Sequence, residues 1–517
     1  MVTVQKTGMQ KVGIIDAYKI KSGDTYLNIN IERDPKEFVL IYNLETPQIE
    51  KATLLLLENV RNRLIEEVRV KVEEIVDPKA FEALKNRYKQ TAENIIQKEL
   101  PRLSADEKST VINYLINKML GLAQIEPIFS DDNIEEVVIN RADTPVWIYH
   151  KKHGWLKTNI IVESEEQIHN FASIIGRRVG REITNLSPLM DARLPSGDRV
   201  NATLFPISTF GNTLTVRKFA RTPWTVIDFI DPKVNSLSPD IAALLWFGIE
   251  NEINLLIAGG TGSGKTSMLN SLTAFMPSNQ RIISIEDTRE LQLPNFLQWI
   301  PMATRSPNPE GKGEVTMLDL MINSLRMRPD KMIVGEVRRA REAEVLFEAM
   351  HTGHSVYSTL HADTIEQTYR RLVNPPINVP VEMLETLHLI LVQFRQRRLN
   401  IRRTLQVAEV VVPKQQKEAV VNFNLLYRWD PKGDKMSPVN KSQRIVEELQ
   451  LRTGMSSSEM AKNLDDKEKI LKWMLKSNTR DINAVGRIVN TYYTNEDYVL
   501  DVVNKNKNPA EILEQQV

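Results

Sequence analysis

The chain has 517 residues, with 67 lysines and arginines against 66 aspartates and glutamates, a formal net charge of +1 and 42% hydrophobic residues. That length exceeds what one hydrophobic core serves, so two to four domains are expected. The charge balance excludes a surface given over wholly to nucleic acid, though not a local basic patch, and the absence of cysteine excludes a disulfide framework and any zinc site built on thiolates.

A reducing cytoplasm is compatible with that composition. The opening "MVTVQKTGMQKVGII" has no apolar core of the kind a secretory signal carries. No uncharged apolar run is long enough to cross a bilayer, so any membrane role is expected to be peripheral. Lys6, Lys11, Lys19 and Lys21 are candidates for contact with anionic lipid.

In chain order, "YKIKSGDTYLNINIERDPKEFVLIYNL" alternates as short strands, with turns at Ser22-Gly23-Asp24 and Asp34-Pro35. Residues 46–122 read as a small helical bundle. Thr46-Pro47 is a start signal, helical runs span 78–99 and 104–122, and Ser104-Ala-Asp-Glu107 opens the last like a capping box. A coiled-coil arm is the alternative, disfavoured by the prolines at 78 and 101. Period two returns near 134–161, "SEEQIHNFASIIGRRVG" is helical, and "PLMDARLPSGDRVNATLFPISTFGNTLTVRKF" reads as paired strands. Residues 123–220 are therefore expected to form an α+β module.

"ARTPWTVIDFIDPKVNSLSP" carries three prolines and little periodicity, so 221–239 is the expected linker, ending before a helix at 239–250. Strand–loop–helix alternation follows, predicting a mostly parallel sheet over 240–517. A hairpin ("AEVVVPKQQKEAVVNFNLLYRW") and amphipathic helices ("KEKILKWMLKSN", "AVGRIVNTYYT") close the chain.

"LLIAGGTGSGKTSML" carries the strongest signal. Gly259, Gly260, Thr261, Gly262, Ser263, Gly264, Lys265 and Thr266, followed by Ser267, fit G-x-x-x-x-G-K-[ST] between an apolar strand and a helix. Such a loop wraps an anion with backbone N–H groups, and side chains would obstruct the approach. The helix N-terminus adds partial positive charge. Lys265 reaches the β- and γ-phosphates of a nucleotide such as ATP, and Thr266 ligates Mg2+. A chance glycine loop is the bland alternative.

Hydrolysis needs a carboxylate from a second strand. "DKMIVGEVR" places Glu336 just past an apolar run, where it orients and deprotonates a water. "IISIEDTREL" ends in Glu286 and Asp287, with Arg289 and Glu290 behind. These acids suit water-mediated contact with Mg2+ or, equally, a surface ion-pair cluster. "AMHTGHSVYSTLHADT" holds His351, His354 and His361. Its readings are a metal site, a γ-phosphate sensor at His361, or polar packing.

The P-loop, "SIEDTREL", "MIVGEVR" and "TGHSVYSTLHADT", in that order, resemble the secretion ATPase superfamily over about residues 130 to 410. That superfamily drives type II secretion, type IV pili, type IV secretion and the archaeal swimming organelle. Within it the chain looks most like the archaellum motor ATPase, because of its long helical N-terminal region and its lack of a four-cysteine module. The resemblance implies an α/β architecture: a C-terminal RecA-like P-loop domain with a parallel sheet, preceded by an α+β, PAS-like N-terminal domain carrying the helical bundle. It also implies a homo-hexamer with ATP and Mg2+ at subunit junctions, and arginines of the N-terminal domain reaching the phosphates. Arg193, Arg199 and Arg217 match those motifs, with Arg199 and Arg217 as the charge-neutralising pair and structural ion pairing as the alternative. Arg326 and Arg328 would relay between subunits. A polytopic membrane platform protein and accessory cytoplasmic motor proteins are the implied partners, and the implied location is cytoplasmic, at the inner face of the cell membrane. Motion would come from the N-terminal module closing over the P-loop on the 221–239 hinge.

Rival classes are a nucleic-acid translocase, using the basic cluster "FRQRRLNIRR" at 394–403, and a non-hydrolysing scaffold. No nucleic-acid partner is expected, given the near-zero net charge and the lack of interleaved aromatics. A pilus-assembly ATPase is the nearest rival within the family.

Overall fold

Alternating apolar and polar residues build the first part of the chain, and unbroken apolar runs build the second. The computed structural model describes residues 13–514 apart from 47–50, 72, 73, 75, 76, 102, 195, 220, 221, 306, 308–310, 400 and 413–420. The chain divides into two units, Met1–Arg221 and Thr222–Val517. Lys6, Lys11 and the 413–420 turn of the expected hairpin lie outside the described residues.

The first unit is a nine-stranded sheet with an inserted bundle. Its strands are β1 (Gly13–Ser22), β2 (Thr25–Arg33), β3 (Ile41–Glu45), β4 (Ile134–Ile139), β5 (Pro145–His150), β6 (Gly154–Ile161), β7 (Leu189–Arg193), β8 (Arg199–Thr203) and β9 (Thr213–Arg217). Their order is β1-β2-β3-β6-β5-β4-β9-β8-β7. The bundle is α1 (Lys51–Glu67), α2 (Pro78–Glu99) and α3 (Ala105–Leu120), around a core of its own that includes Leu57, Val60, Leu64, Leu84, Ile96 and Leu115. Ser104 and Glu107 form the capping box at the start of α3. A one-turn α4 (Glu126–Phe129) leads back to the sheet. Helix α5 (Glu165–Arg178) covers one face by burying Ile168, Phe171, Ala172 and Ile175.

A domain boundary at 122 is overturned. β3 pairs in parallel with β6, Tyr42 opposite Thr158. The Asn159 side chain accepts from Leu44 N and donates to Leu44 O, each at 3.0 Å. The bundle is thus an insertion into one sheet. Strand pairing across more than 100 residues leaves no local trace in sequence, which is why the two parts read as separate.

The expected linker 221–239 is also corrected. Within it lies α6 (Val226–Ile230), and Val226, Ile227, Phe229, Ile230 and Leu237 belong to the main core of the second unit. Asp228 and Asp231 are ion-paired to Arg480. The prolines hid an apolar face too short to show helical period.

The second unit is built on β10 (Leu255–Gly259), β11 (Arg281–Glu286), β12 (Gln298–Ala303), β13 (Lys331–Val334), β14 (Ser355–Leu360), β15 (Leu389–Gln396), β16 (Ile401–Val411), β17 (Asn422–Asp430) and β18 (Lys435–Pro438). The order is β12-β11-β13-β14-β10-β15-β16-β17-β18. Pairings from β12 through β15 are parallel, and those from β15 to β18 antiparallel. Every residue of β10, β13 and β14 is buried, as expected of parallel strands covered by helices on both faces. Those helices are α7 (Pro239–Glu250), α8 (Lys265–Leu272), α9 (Met317–Ser324), α10 (Ala340–His351) and α11 (Ile365–Val373). The chain ends in α12 (Arg444–Thr453), α13 (Ser457–Lys476), α14 (Ile482–Thr494), α15 (Glu496–Asn504) and α16 (Ala510–Leu513). These close the core around Trp246, which stacks on Phe275 and donates Nε1–H to Tyr493 at 2.8 Å. The architecture is α/β with a parallel sheet, preceded by an α+β unit carrying a helical bundle. Among the described residues, no helix is long and apolar enough to cross a membrane.

Candidate nucleotide site

The buried run of β10 stops at Gly259 and α8 starts at Lys265, so the glycine loop occupies the carboxyl edge of the sheet. Gly262 and Gly264 stand at φ +69° and +94°, a region other residues enter only at a cost. A Cβ here would also meet the tips of neighbouring side chains. A Cβ on Gly260 would sit 2.6 Å from Asp363 Oδ1, and one on Gly262 2.8 Å from Arg395 Nη1. Ser263 is buried and donates to Gly260 O at 2.8 Å. Lys265 Nζ donates to the carbonyls of Gly259 (2.9 Å) and Gly260 (3.1 Å), spanning the loop. Burial pulls its ammonium below the usual lysine range, against the attraction of Glu336. Thr261 is exposed, its hydroxyl 3.1 Å from His361 Nε2. Thr266 and Ser267 lie in the first turn of α8, half-buried and exposed respectively.

Beside the loop, β13 delivers Glu336. Gly335 N donates to Ile285 O at 2.8 Å and Val337 N to Thr359 O at 3.1 Å, which locks the strand end between its neighbours. Arg338 forks across the opening. Its Nε and Nη2 donate to Glu336 Oε2 at 2.8 and 2.6 Å, and its Nη1 to Asp287 Oδ2 at 2.6 Å. Two of the expected acids are therefore bridged by one guanidinium.

Glu286 is placed differently from Asp287. It is buried, and its Oε1 accepts from the backbone N–H groups of Glu290 and Leu291 at 2.8 and 3.1 Å. Burial pushes its carboxyl up to about 7, against those two hydrogen bonds. The side chain shapes the 287–291 turn. Arg289 stacks over Trp299 at 5.1 Å. Of the three histidines only His361 reaches the loop. His351 ends α10, and His354 sits at the opposite end of β14, beside Thr352 and the Ala349 carbonyl. A histidine metal site is thereby overturned, because the two ends of one strand cannot converge. Arg326 and Arg328 are exposed at the far end of β13 from Glu336, away from the site.

In the first unit, Arg193, Arg199 and Arg217 form one row. Arg199 lies directly opposite Arg193 on β7 and Arg217 on β9, and Arg199 Nη2 donates to Asp191 Oδ2 at 2.7 Å. The cluster 394–403, by contrast, is dispersed. Arg402 Nε donates to Gly262 O at 3.0 Å, Arg403 pairs with Asp434 at 2.7 Å, and Arg397 and Arg398 are exposed.

Sequence reasoning assigned no role to Arg338 or Asp363, and gave Arg395 and Arg402 one only as part of the basic cluster of the translocase reading. Arg338 had a usable signal, standing two residues beyond Glu336 at a strand end. The others come from strands and loops distant in the chain.

The residues fit a nucleotide and Mg2+. The loop offers a glycine cradle that a Cβ would fill, a helix N-terminus and an ammonium. Among the described residues, no group of three or more His, Asp or Glu could hold a metal alone, so a metal here would need Thr266 and the nucleotide's own oxygens. A family model, type II/IV secretion system protein, matches residues 107–485, well over half of the chain. The chain belongs to the type II/IV secretion system protein family. It is an ATP hydrolase of that family. An uncharacterized protein of Methanocaldococcus jannaschii is 32% identical over 399 residues, covering 76% of this chain and 71% of that one. The type IV secretion system protein PtlH of Bordetella pertussis is 29% identical over 271 residues, covering 48% of this chain and 79% of its own. Among solved structures, the VirB11 ATPase of the Brucella suis type IV secretion system, in complex with sulphate, is 25% identical, covering 55% of this chain and 92% of that one with a TM-score of 0.28.

Proposed function

We propose that this ATPase is a homo-hexameric motor that drives assembly or rotation of the archaellum at a polytopic membrane platform, working peripherally at the inner face of the cell membrane. The observation that carries the motor reading is the convergence of Lys265, Glu336, Asp287 and Arg338, from the ends of β10, β13 and β11, at the carboxyl edge of one sheet. The helical bundle at 51–120 and the absence of cysteine support the archaellum branch.

In this mechanism the loop's N–H groups and Lys265 hold the β- and γ-phosphates, Lys265 exchanging the Gly259 and Gly260 carbonyls for phosphate oxygens. Thr266, with Asp287 nearby, would hold Mg2+, which would supply neutralisation of phosphate charge. Arg338 fixes the Oε2 side of Glu336, leaving Oε1 to take the proton of the attacking water. His361, through Thr261, registers the γ-phosphate side of the loop. Arg199 and Arg217 of a neighbouring subunit complete the positive charge. Loss of that attraction after hydrolysis would free the first unit, which in this reading turns turnover into motion.

The test is ATP turnover by the purified chain, with and without archaeal-type lipid, alongside Lys265→Ala and a pull-down of the platform protein. The variant is expected to lose turnover by about 100-fold or more. Unchanged turnover overturns the site. A strictly monomeric, active wild type overturns the trans arginines. The PtlH similarity favours a second reading, a secretion or pilus-assembly ATPase. Capture of a platform protein belonging to such a system would select it.

A further inference from the structure

Helix α8 buries an asparagine in an otherwise apolar stretch. Asn270 is buried along with Met268, Leu269 and Leu272 of the same helix. Asparagine is a poor helix former and is mostly exposed in proteins, so a buried one in an eight-residue helix needs a polar task. Asn270 Oδ1 accepts from the backbone N–H of Gln292 at 2.7 Å. That bond leaves the helix and ends on the turn that follows β11.

Two side chains hold this turn. Glu286 Oε1 takes the N–H groups of Glu290 and Leu291 at 2.8 and 3.1 Å, and Asn270 takes the next one. Three consecutive amides, 290 to 292, are thus satisfied by two buried groups. On the other side Thr304 N donates to Glu286 O at 3.1 Å. Asp287 lies in the stretch so bracketed, where its Oδ2 accepts from Arg338. The two holding groups do different things. Glu286 reaches from the turn's own strand and fixes its shape. Asn270 reaches from α8 and fixes the turn's place relative to that helix.

Helical spacing connects this to the glycine loop. Thr266 and Asn270 are four residues apart on α8, so they share one face, one turn apart. A single helix face therefore presents the Thr266 hydroxyl in its first turn and grips the Asp287 segment in the next.

We propose that Asn270 is a positioning residue for ATP hydrolysis. It ties the turn carrying Asp287 to the helix carrying Thr266, so that hydroxyl and carboxylate keep one spacing before any nucleotide binds. This proposal rests on the reading in which Thr266, with Asp287 nearby, would hold Mg2+. Groups already fixed by the fold need no reorganisation when their ligand arrives. Asn270 stands behind the pair and acts only through the turn.

The test uses the full chain with Asn270→Leu, which keeps the volume but removes the acceptor, and with Asn270→Ala. Ser271→Ala is the control, because the buried Ser271 hydroxyl bonds to Met268 of its own helix. Hydrogen exchange without nucleotide should show protection of the Gln292 amide falling by about tenfold in both Asn270 variants, with β10 amides unchanged. The Mg2+ concentration giving half-maximal turnover at saturating ATP should rise by about tenfold. Fluorescent ADP without metal should bind to within about twofold of wild type. Ser271→Ala should match wild type in Gln292 protection and in Mg2+ dependence. Should Asn270→Leu not fold, Asn270→Ala carries the test. Full Gln292 protection in Asn270→Ala overturns the proposal, as does lost protection with an unchanged Mg2+ dependence. An equal Mg2+ shift in Ser271→Ala also overturns it, because general loosening of α8 would then be the cause. A failure of the Mg2+ reading is distinguishable: wild-type turnover would then not depend on Mg2+, while the Gln292 amide would still report the tie.

Discussion

The two units keep their charges in opposite ways. In the second unit, Lys331 and Lys467 are fully buried and answered by partners. Lys331 Nζ donates to Ile249 O at 2.8 Å and Tyr357 Oη at 3.2 Å, and burial pulls its ammonium down to about 7. Lys467 lies over the rings of Tyr492, Phe247 and Trp246 and is ion-paired with Glu250 at 3.0 Å. In the first unit, Arg193, Arg199 and Arg217 stand in one row, with Arg199 and Arg217 exposed. Cations that serve the fold are buried against acceptors and rings. Cations set side by side on an exposed face repel one another, and nearby carboxylates, Asp191 at Arg199 and Glu136 opposite Arg217, offset part of that repulsion.

If that contrast is right, removing a group of each kind should separate activity from stability. The largest effect is expected at Glu336→Gln, which should lower turnover by about 10² to 10⁴-fold while ATP binding persists, measured by turnover and nucleotide titration. Lys467→Ala should cost about 3 to 5 kcal/mol, because Glu250 and Asn463 lose their buried partner, as seen by urea denaturation followed through tryptophan fluorescence. Lys467→Met, which refills the aromatic cage, should cost much less.

Glu286→Gln sharpens the comparison through pH. The folded protein binds this proton more tightly than the unfolded chain, so the carboxyl costs nothing below about 4.5. The cost grows as pH rises to about 7 and is constant above. The variant should therefore gain on wild type across that window, by an amount on the order of 3 kcal/mol at its plateau. Denaturation midpoints at pH 4.5 and 8 check the sign. The smallest effect is expected in the first unit. Arg217→Gln removes the repulsion with Arg199 but also the attraction to Glu136 directly opposite on β4, so the protection of β8 and β9 should change by less than about 1 kcal/mol, read by hydrogen exchange of their amides in the full chain. A larger loss of protection there would make the row a structural device.

What could be read from the chain alone follows a physical line. The P-loop, the Glu336 strand and the His361 strand were legible because parallel strands buried on both faces give unbroken apolar runs, and their chemistry sits at the strand ends within a few residues. The three arginines of the first unit were legible only through family resemblance. Their alignment in one row depends on antiparallel register between strands 6 to 24 residues apart.

Sequence by itself determined the local elements, the glycine loop between its strand and helix, and the place of Glu336 at a strand end. Only tertiary structure decided that β3 joins β6, that 222–239 is core rather than linker, that Arg338 binds Glu336 to Asp287, and that Arg395 and Arg402 meet the loop. Hydrophobic period and turn chemistry act over a few residues and are written in order along the chain. Strand pairing and charge pairing act between residues that only the folded sheet brings within reach.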